Sequence, residues 1–199
     1  MARPRAQDYD TKRTAIRDAA AALFAERGFD GSSMSDLADR CATTKSGLYH
    51  YYASKEEVLN DILIEHLGGL VRIVRDAAVE AAALPAPERL ELIVARLLAA
   101  YARADHQHKV QLNELWRLAE GERAAIVAME REIVGCVADT LAEINPQLRS
   151  QRGLLKPVTM SFFGMLNWHY LWFREDGPMS RDDYARLATR LFLDGAKSI

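Results

Sequence analysis

The sequence predicts an all-α protein of about nine helices, and three observations predict it. Apolar residues recur at the three- and four-residue spacing of helices along most of the chain, and no stretch reads as a strand. Caps, capping boxes, Gly and Pro punctuate that pattern as starts and stops. The composition, 49% apolar with 11 Gly and six Pro in 199 residues, belongs to a folded helical chain and not to a disordered one.

The first helix spans Asp10 to Arg27, with Ile16, Ala20, Leu23 and Phe24 on one side and Gly28 as its terminator. Ser33 caps a second, two-turn helix with Asp36 at the capping-box position, and Met34, Leu37, Ala38 and Cys41 fall on one face. Thr44 caps a third helix after a turn of only three residues, the joint expected in a helix-turn-helix. Ser54 and Glu57 form the capping box of a fourth helix from Lys55 to about Ala83, inside which Gly68-Gly69 costs ~1 kcal/mol per glycine; a bend or a close helix contact is the expected offset. After LPAPE the fifth helix starts with Pro87 in its first turn and runs to about Asp105; the sixth covers about Gln107 to Ala119 and stops at Gly121. The seventh, Glu122 to Ile144, carries Ile126, Met129, Ile133, Val137 and Leu141 and ends at Asn145-Pro146. The eighth, Val158 to Phe173, is apolar almost all round and must be covered on more than one side. Ser180 with Asp183 opens the ninth, where Tyr184, Leu187, Ala188 and Leu191 share a face up to Gly195.

Bulk properties narrow the function classes. No apolar run approaches the ~18–20 residues that span a bilayer, and MARPRAQDYD lacks a secretory hydrophobic region, so a cytoplasmic protein without membrane association is expected. Cys41 and Cys136 are isolated thiols without His or Cys at metal-ligand spacing, which predicts reduced, buried side chains and no metal. The net charge is −2, and residues 1–56 hold nine basic against eight acidic side chains; nucleic-acid binding must therefore rest on local geometry.

That geometry is concentrated in TTKSGLYHYYASKEE, Thr43 to Glu57. On a helix from Thr44, Leu48, Tyr51 and Tyr52 fall on one face and should pack on the first two helices. Lys45, Ser46, Tyr49 and His50 occupy the other face, all able to donate hydrogen bonds, and Gly47 among them would let the helix approach a groove closely. Lys45, Ser46 and His50 are the candidates for base edges; Tyr49, Ser33, Thr44 and Lys55 are those for phosphates. A merely solvated polar face is the alternative.

SSMSDLADRCATTKSGLYHYYASKEEVL, with FAERGFDG before it, resembles the DNA-binding signature of the tetracycline-repressor (TetR) family over about residues 10–65. Cys41-Ala42-Thr43 stands where such proteins often place a glycine in the turn. The resemblance implies a DNA-binding domain, residues 1–54, on a ligand-binding and dimerisation domain, residues 55–199, and usually a ligand-released repressor. One short helix reads few bases, so a homodimer on near-palindromic double-stranded DNA is expected. Residues 1–9 read as a flexible basic arm; Arg3 and Arg5 either reach a minor groove or belong to a plain basic terminus.

In the C-terminal half, helices eight and nine are the natural dimer surface, with Ser161, Gly164 and Trp168 on one stripe, ordinary intramolecular packing being the alternative. Asn113, Asn167 and His169 interrupt aromatic helices and need hydrogen-bond partners, which a ligand in an apolar cavity would supply. Asn113, Trp116, Phe163, Asn167, Trp168 and Trp172 are the ligand candidates. FFGMLNWHYLWFREDGPMS resembles TetR-family regulators that answer to acyl-coenzyme A thioesters, and MARPRAQDYD and LYHYYASKE resemble the phenylacetyl-CoA group. That resemblance implies an acyl-CoA effector, with Arg72, Arg75, Arg103 or Arg174 meeting its phosphates; a free aromatic or lipophilic effector, controlling efflux or catabolic genes, is the alternative. His106, His108 and His169 form no catalytic motif, no cofactor-binding motif is present, and an enzyme is not expected. A helical adaptor that binds protein partners is the remaining rival.

Overall fold

The structure, a computed structural model, describes residues 3–151, 153–174 and 176–196, with side chains between Asp8 and Gly195. The side chains of Arg3 and Arg5, on which a minor-groove arm depends, lie outside the described residues. Ten α-helices and no strand occur among the described residues: α1 (Arg3–Arg27), α2 (Met34–Arg40), α3 (Lys45–Tyr49), α4 (Lys55–Glu80), α5 (Ala86–Arg103), α6 (Asp105–Glu114), α7 (Glu120–Ile144), α8 (Gln147–Ser150), α9 (Leu155–Trp168) and α10 (Arg181–Ala196). Leu115–Arg117 and His169–Leu171 are 3₁₀ turns.

Most helix starts follow the chemistry of their caps. Ser33 accepts the Asp36 N–H and receives the Asp36 carboxylate on its own N–H at 2.8 Å, a complete capping box. Ser54 accepts from Glu57 N–H, and Ser180 from Asp183 N–H, both at 3.1 Å. The extra helix, α8, is a single turn that the Asn145 side chain starts by accepting the Gln147 N–H; four residues are too few to show a period. Gly121 is not a stop: the sixth helix already ends at Glu114 in the 3₁₀ turn, and Gly121 lies in the first turn of α7. The expected eighth helix, α9, likewise gives way to a 3₁₀ turn at His169.

The chain divides into two compact units, residues up to Leu67 with Ala104–Val127, and Gly68–Arg103 with Ala128 onward. The first unit holds α1 to α3, the first half of α4, α6 and the start of α7. Ile16, Leu23, Phe24, Leu37, Leu48 and Ile62 are buried in it, each contributing about 1.5–3 kcal/mol if its whole side chain leaves water. In the second unit, α5 and α9 pack on α10 through Ile93, Leu97, Phe162, Leu166, Ala185 and Ala188, all buried.

The structure adds two details to the expected pattern. The buried stripe of α10 is Tyr184, Ala185, Ala188, Thr189 and Leu193, whereas Leu187 and Leu191 are 39% and 60% exposed. Helical spacing identifies an apolar face but cannot say which of two adjacent faces the neighbouring helices cover. Gly68 and Gly69 are not explained by close packing either. A Cβ there would meet only the Arg72 guanidinium, at 3.7 and 3.9 Å, which is ordinary contact.

Candidate DNA-binding interface and effector region

The α2–α3 joint is built from backbone hydrogen bonds. Ala42 N–H donates to Asp39 O and Thr43 N–H to Ala38 O, the paired closure of a Schellman motif, whose left-handed residue is Ala42 at φ 49°. Alanine there costs roughly 1–2 kcal/mol that glycine would not. The chain then re-enters helix at Thr44, whose hydroxyl accepts the Gly47 N–H at 3.0 Å. Leu48 is fully buried and anchors α3 from behind.

This anchoring brings Lys45, Ser46, Tyr49 and His50 to one exposed face, with Tyr49 46% exposed. Lys45 carries no ion pair among the described residues, while neighbouring cations are spoken for: Arg40 is held bidentate by Glu26 at 2.7 Å, and Lys12 by Asp8 at 3.0 Å. A groove of about 710 Å³ runs beside the face, between α1, the turn and α3, lined by Lys12, Ile16, Arg40, Cys41, His50 and Tyr51. Tyr51 lies beyond α3 and stacks on Tyr9 of α1, ring centroids 4.8 Å apart; His50 meets both rings edge-on. Tyr52 is buried and donates its hydroxyl to Asp61 at 2.6 Å, which joins the end of the α3 segment to α4. Burial, then this hydrogen bond, pushes its pKa well above the usual phenol value.

Three predicted residues have work inside the protein. Lys55 is half-buried; its ammonium donates to Phe29 O at 2.6 Å and Ser32 O at 2.8 Å and lies over the Phe29 ring, leaving at most one N–H for a phosphate. Ser33 gives its hydroxyl proton to Asp36, whose carboxyl this bond, first among several, holds below the usual range. Gly47 is tightly set within the turn: a Cβ would stand 2.8 Å from Thr43 Oγ1 and 3.2 Å from Thr44 Oγ1.

The ligand candidates separate. Asn113 and Trp116 lie in the first unit and are exposed; Trp116 is 59% exposed, its indole N–H donates to Asn113 O, and Arg117 covers its ring. Neither has the enclosed setting expected of a pocket wall. In the second unit Phe163 is buried, and the buried amide oxygen of Asn167 has no hydrogen-bond partner among the described residues. Trp168 and Trp172 are 64% and 53% exposed, a surface rather than a cavity. His169 needs no ligand. Its Nδ1 is 2.8 Å from Leu166 O and its Nε2 is 2.7 Å from Arg181 Nη1; a carbonyl only accepts and a guanidinium only donates, so the ring is neutral with its proton on Nδ1. Of the four arginines, Arg75 is paired with Glu132, and Arg72, Arg103 and Arg174 are exposed. Between α9 and α10 an apolar groove of about 390 Å³ is lined by Pro157, Ser161, Met165, Leu191, Phe192 and Gly195, with Met160 exposed on α9.

Residues 16–62 match the family of bacterial regulatory proteins named for tetR, and residues 83–196 match the tetracyclin repressor-like C-terminal domain. The chain belongs to the TetR family. It is 31% identical over 121 residues to the HTH-type transcriptional repressor KstR2 of Mycobacterium tuberculosis, a match covering 59% of this chain and 58% of that protein. With KstR2 of Rhodococcus jostii it is 28% identical over 217 residues, covering all of this chain and 98% of that one. A TetR-family regulator from Bordetella parapertussis superposes with a TM-score of 0.88 at 38% identity, covering 94% of this chain and 96% of the other. AibR, solved with isovaleryl coenzyme A and operator DNA, superposes with a TM-score of 0.78 at 26% identity, covering 90% of this chain and 97% of AibR.

This TetR-family chain thus carries a helix-turn-helix, and no helix among its described residues is long and apolar enough to cross a membrane. Its helix-turn-helix was readable from caps and turn length. Sequence reasoning missed Tyr9, and also Glu114, which reaches Phe29 of the α1–α2 loop from 85 residues away, and Arg117, which pairs with Asp30 of the same loop. Tyr9 sits at helical spacing with Arg13 and Lys12 beside it, but no local signal announces a partner at Tyr51.

Proposed function

We propose that the protein is a repressor that binds a near-palindromic operator as a homodimer and leaves it when a hydrophobic or acyl-CoA effector binds. The exposed quartet Lys45, Ser46, Tyr49 and His50, backed by buried Leu48, carries the reading. Lys45, Ser46 and His50 supply donors for base edges, and Tyr49 with the Thr44 end of α3 supplies donors for phosphates. Lys55 and Ser33 serve mainly to shape the segment. The apolar faces of α9 and α10, with exposed Met160, Leu187 and Leu191 around their groove, support these helices as the dimer surface.

The effector class is supported by AibR, whose solved structure holds isovaleryl coenzyme A. In this chain the apolar part of the effector would pack near Phe163, and Asn167, whose amide oxygen lacks a partner among the described residues, would accept a hydrogen bond from it. Release is a population shift: the effector must bind a state whose two α3 helices no longer match successive major grooves. A pivot in α4 near Gly68 and Gly69, two residues of low helix propensity, is the proposed link.

The test is a gel shift on the DNA upstream of the protein's own gene, over a range of salt. Lys45→Ala should weaken binding and relax the preference for the base it reads, and Tyr49→Phe should weaken binding about equally across sequences. Unchanged affinity and base preference in both variants would refute the interface. Thermal shifts with phenylacetyl-CoA, isovaleryl-CoA and the corresponding free acids then separate an acyl-CoA effector from a free aromatic or lipophilic one.

A further inference from the structure

The loop between α1 and α2 sets where α2 begins, and its polar groups are held from two sides. Gly28 at φ 75° turns the chain, Phe29 buries its ring, and Ser32 returns its hydroxyl to Gly28 O at 2.8 Å. Lys55 takes the carbonyls of Phe29 and Ser32. The complementary grip comes from the far end of α6. Glu114 Oε1 accepts the Phe29 N–H at 3.1 Å, and this carboxylate is only 13% exposed. Arg117, in the 3₁₀ turn, pairs with Asp30 of the loop and lies 3.7 Å from Glu114. Gln107 adds a contact from α6 to Asp18 of α1 at 3.3 Å.

We infer that Glu114 and Arg117 are positioning residues for DNA binding: through Phe29 and Asp30 they fix the loop, and so the register of Ser33 and α2 against the α3 face, without touching DNA. This rests on the DNA-binding reading above. The Phe29 N–H lies beside a buried ring, so removing its acceptor strands a donor; the loop must open to water to satisfy it. Because Lys55 still holds the carbonyls, the loop loosens rather than unfolds. Arg117 lies between two carboxylates that would otherwise repel, Asp30 at 63% exposed and Glu114 at 13%.

The experiment uses the full-length chain and a duplex selected from a random pool by the wild-type protein, with affinity measured against salt and amide exchange followed at Phe29. Glu114→Ala should bind roughly tenfold more weakly, from the loss of one charge-assisted hydrogen bond, with an unchanged salt slope and faster exchange at Phe29. Glu114→Gln keeps an acceptor oxygen and should stay near wild type. Arg117→Asp should weaken binding, and Asp30→Arg added to it should recover most of the loss. Wild-type affinity in Glu114→Ala overturns the inference, and so does a salt slope lowered by one phosphate in Arg117→Asp, which would make Arg117 a direct contact. If Glu114→Ala fails to fold, the charge-swapped pair decides, and its failure to recover affinity overturns the inference. A wild-type chain that selects no duplex refutes the DNA-binding reading itself.

Discussion

Tyr52→Phe removes one oxygen from a ring that is 1% exposed, so it opens no cavity and isolates one hydrogen bond. The phenol has a single proton, and the Asp61 carboxylate at 2.6 Å takes it in preference to the Arg13 carbonyl at 3.4 Å. Asp61 is 14% exposed and keeps Arg13 at 3.2 Å and Arg17 at 3.7 Å after the substitution. The carboxylate therefore stays compensated, and the expected cost is about 2 kcal/mol, within the range for a hydrogen bond to a charged group. For a chain of 199 residues that corresponds to a melting temperature lower by roughly 4–8 °C. Calorimetry reads the shift, and urea unfolding should show a lower midpoint at constant slope. Alkaline pH supplies a second signature. The folded state keeps the Tyr52 proton that the unfolded chain gives up near pH 10, so wild-type stability falls as pH climbs past that value; the Phe variant should fall less. A melting temperature within about 1 °C of wild type would show that the arginines alone serve Asp61, and that Tyr52 does not tie the α3 segment to α4.

Ala42→Gly should raise stability by about 1 kcal/mol in denaturant titrations, since the left-handed residue of the turn loses its Cβ strain faster than the unfolded chain gains freedom; a lower midpoint would contradict the φ of 49°. His66, buried on α4, has its pKa lowered to about 4 chiefly by desolvation, opposed by a hydrogen bond with Gln111. The unfolded chain protonates first as pH falls from 6.5, so stability should drop by on the order of 3 kcal/mol between there and pH 4. His66→Leu should flatten that limb, and an equally steep decline in the variant would refute the assignment. Gly68→Ala and Gly69→Ala should each stabilise the chain by about 1 kcal/mol, since each Cβ meets only a movable guanidinium, while weakening effector-driven release in gel shifts; destabilisation would reveal an unseen close contact.

Local chemistry explains what could be read early. Ser33 with Asp36, Thr44 three residues ahead of Gly47, and Ser54 ahead of Glu57 satisfy backbone groups within one turn, so their effect is written in neighbouring letters. The exposed quartet on α3 follows from the same logic, because Leu48 must be buried and helical geometry then turns Lys45, Ser46, Tyr49 and His50 outward. The helix starting at Leu155 is apolar on nearly every side, and that much was evident; which side the protein covers was not.

By itself, then, the sequence determined the helical class, most helix starts, the three-residue joint and the polar face beyond it, all consequences of interactions spanning four residues or fewer. Only the tertiary structure decided that Lys55 serves the Phe29–Ser32 loop, that Gly47 makes room for two threonine hydroxyls, that His169 is satisfied by Leu166 and Arg181, and that Glu114 reaches Phe29. Each of these depends on which donors and acceptors packing places within about 3 Å of one another, a distance that separation along the chain does not encode.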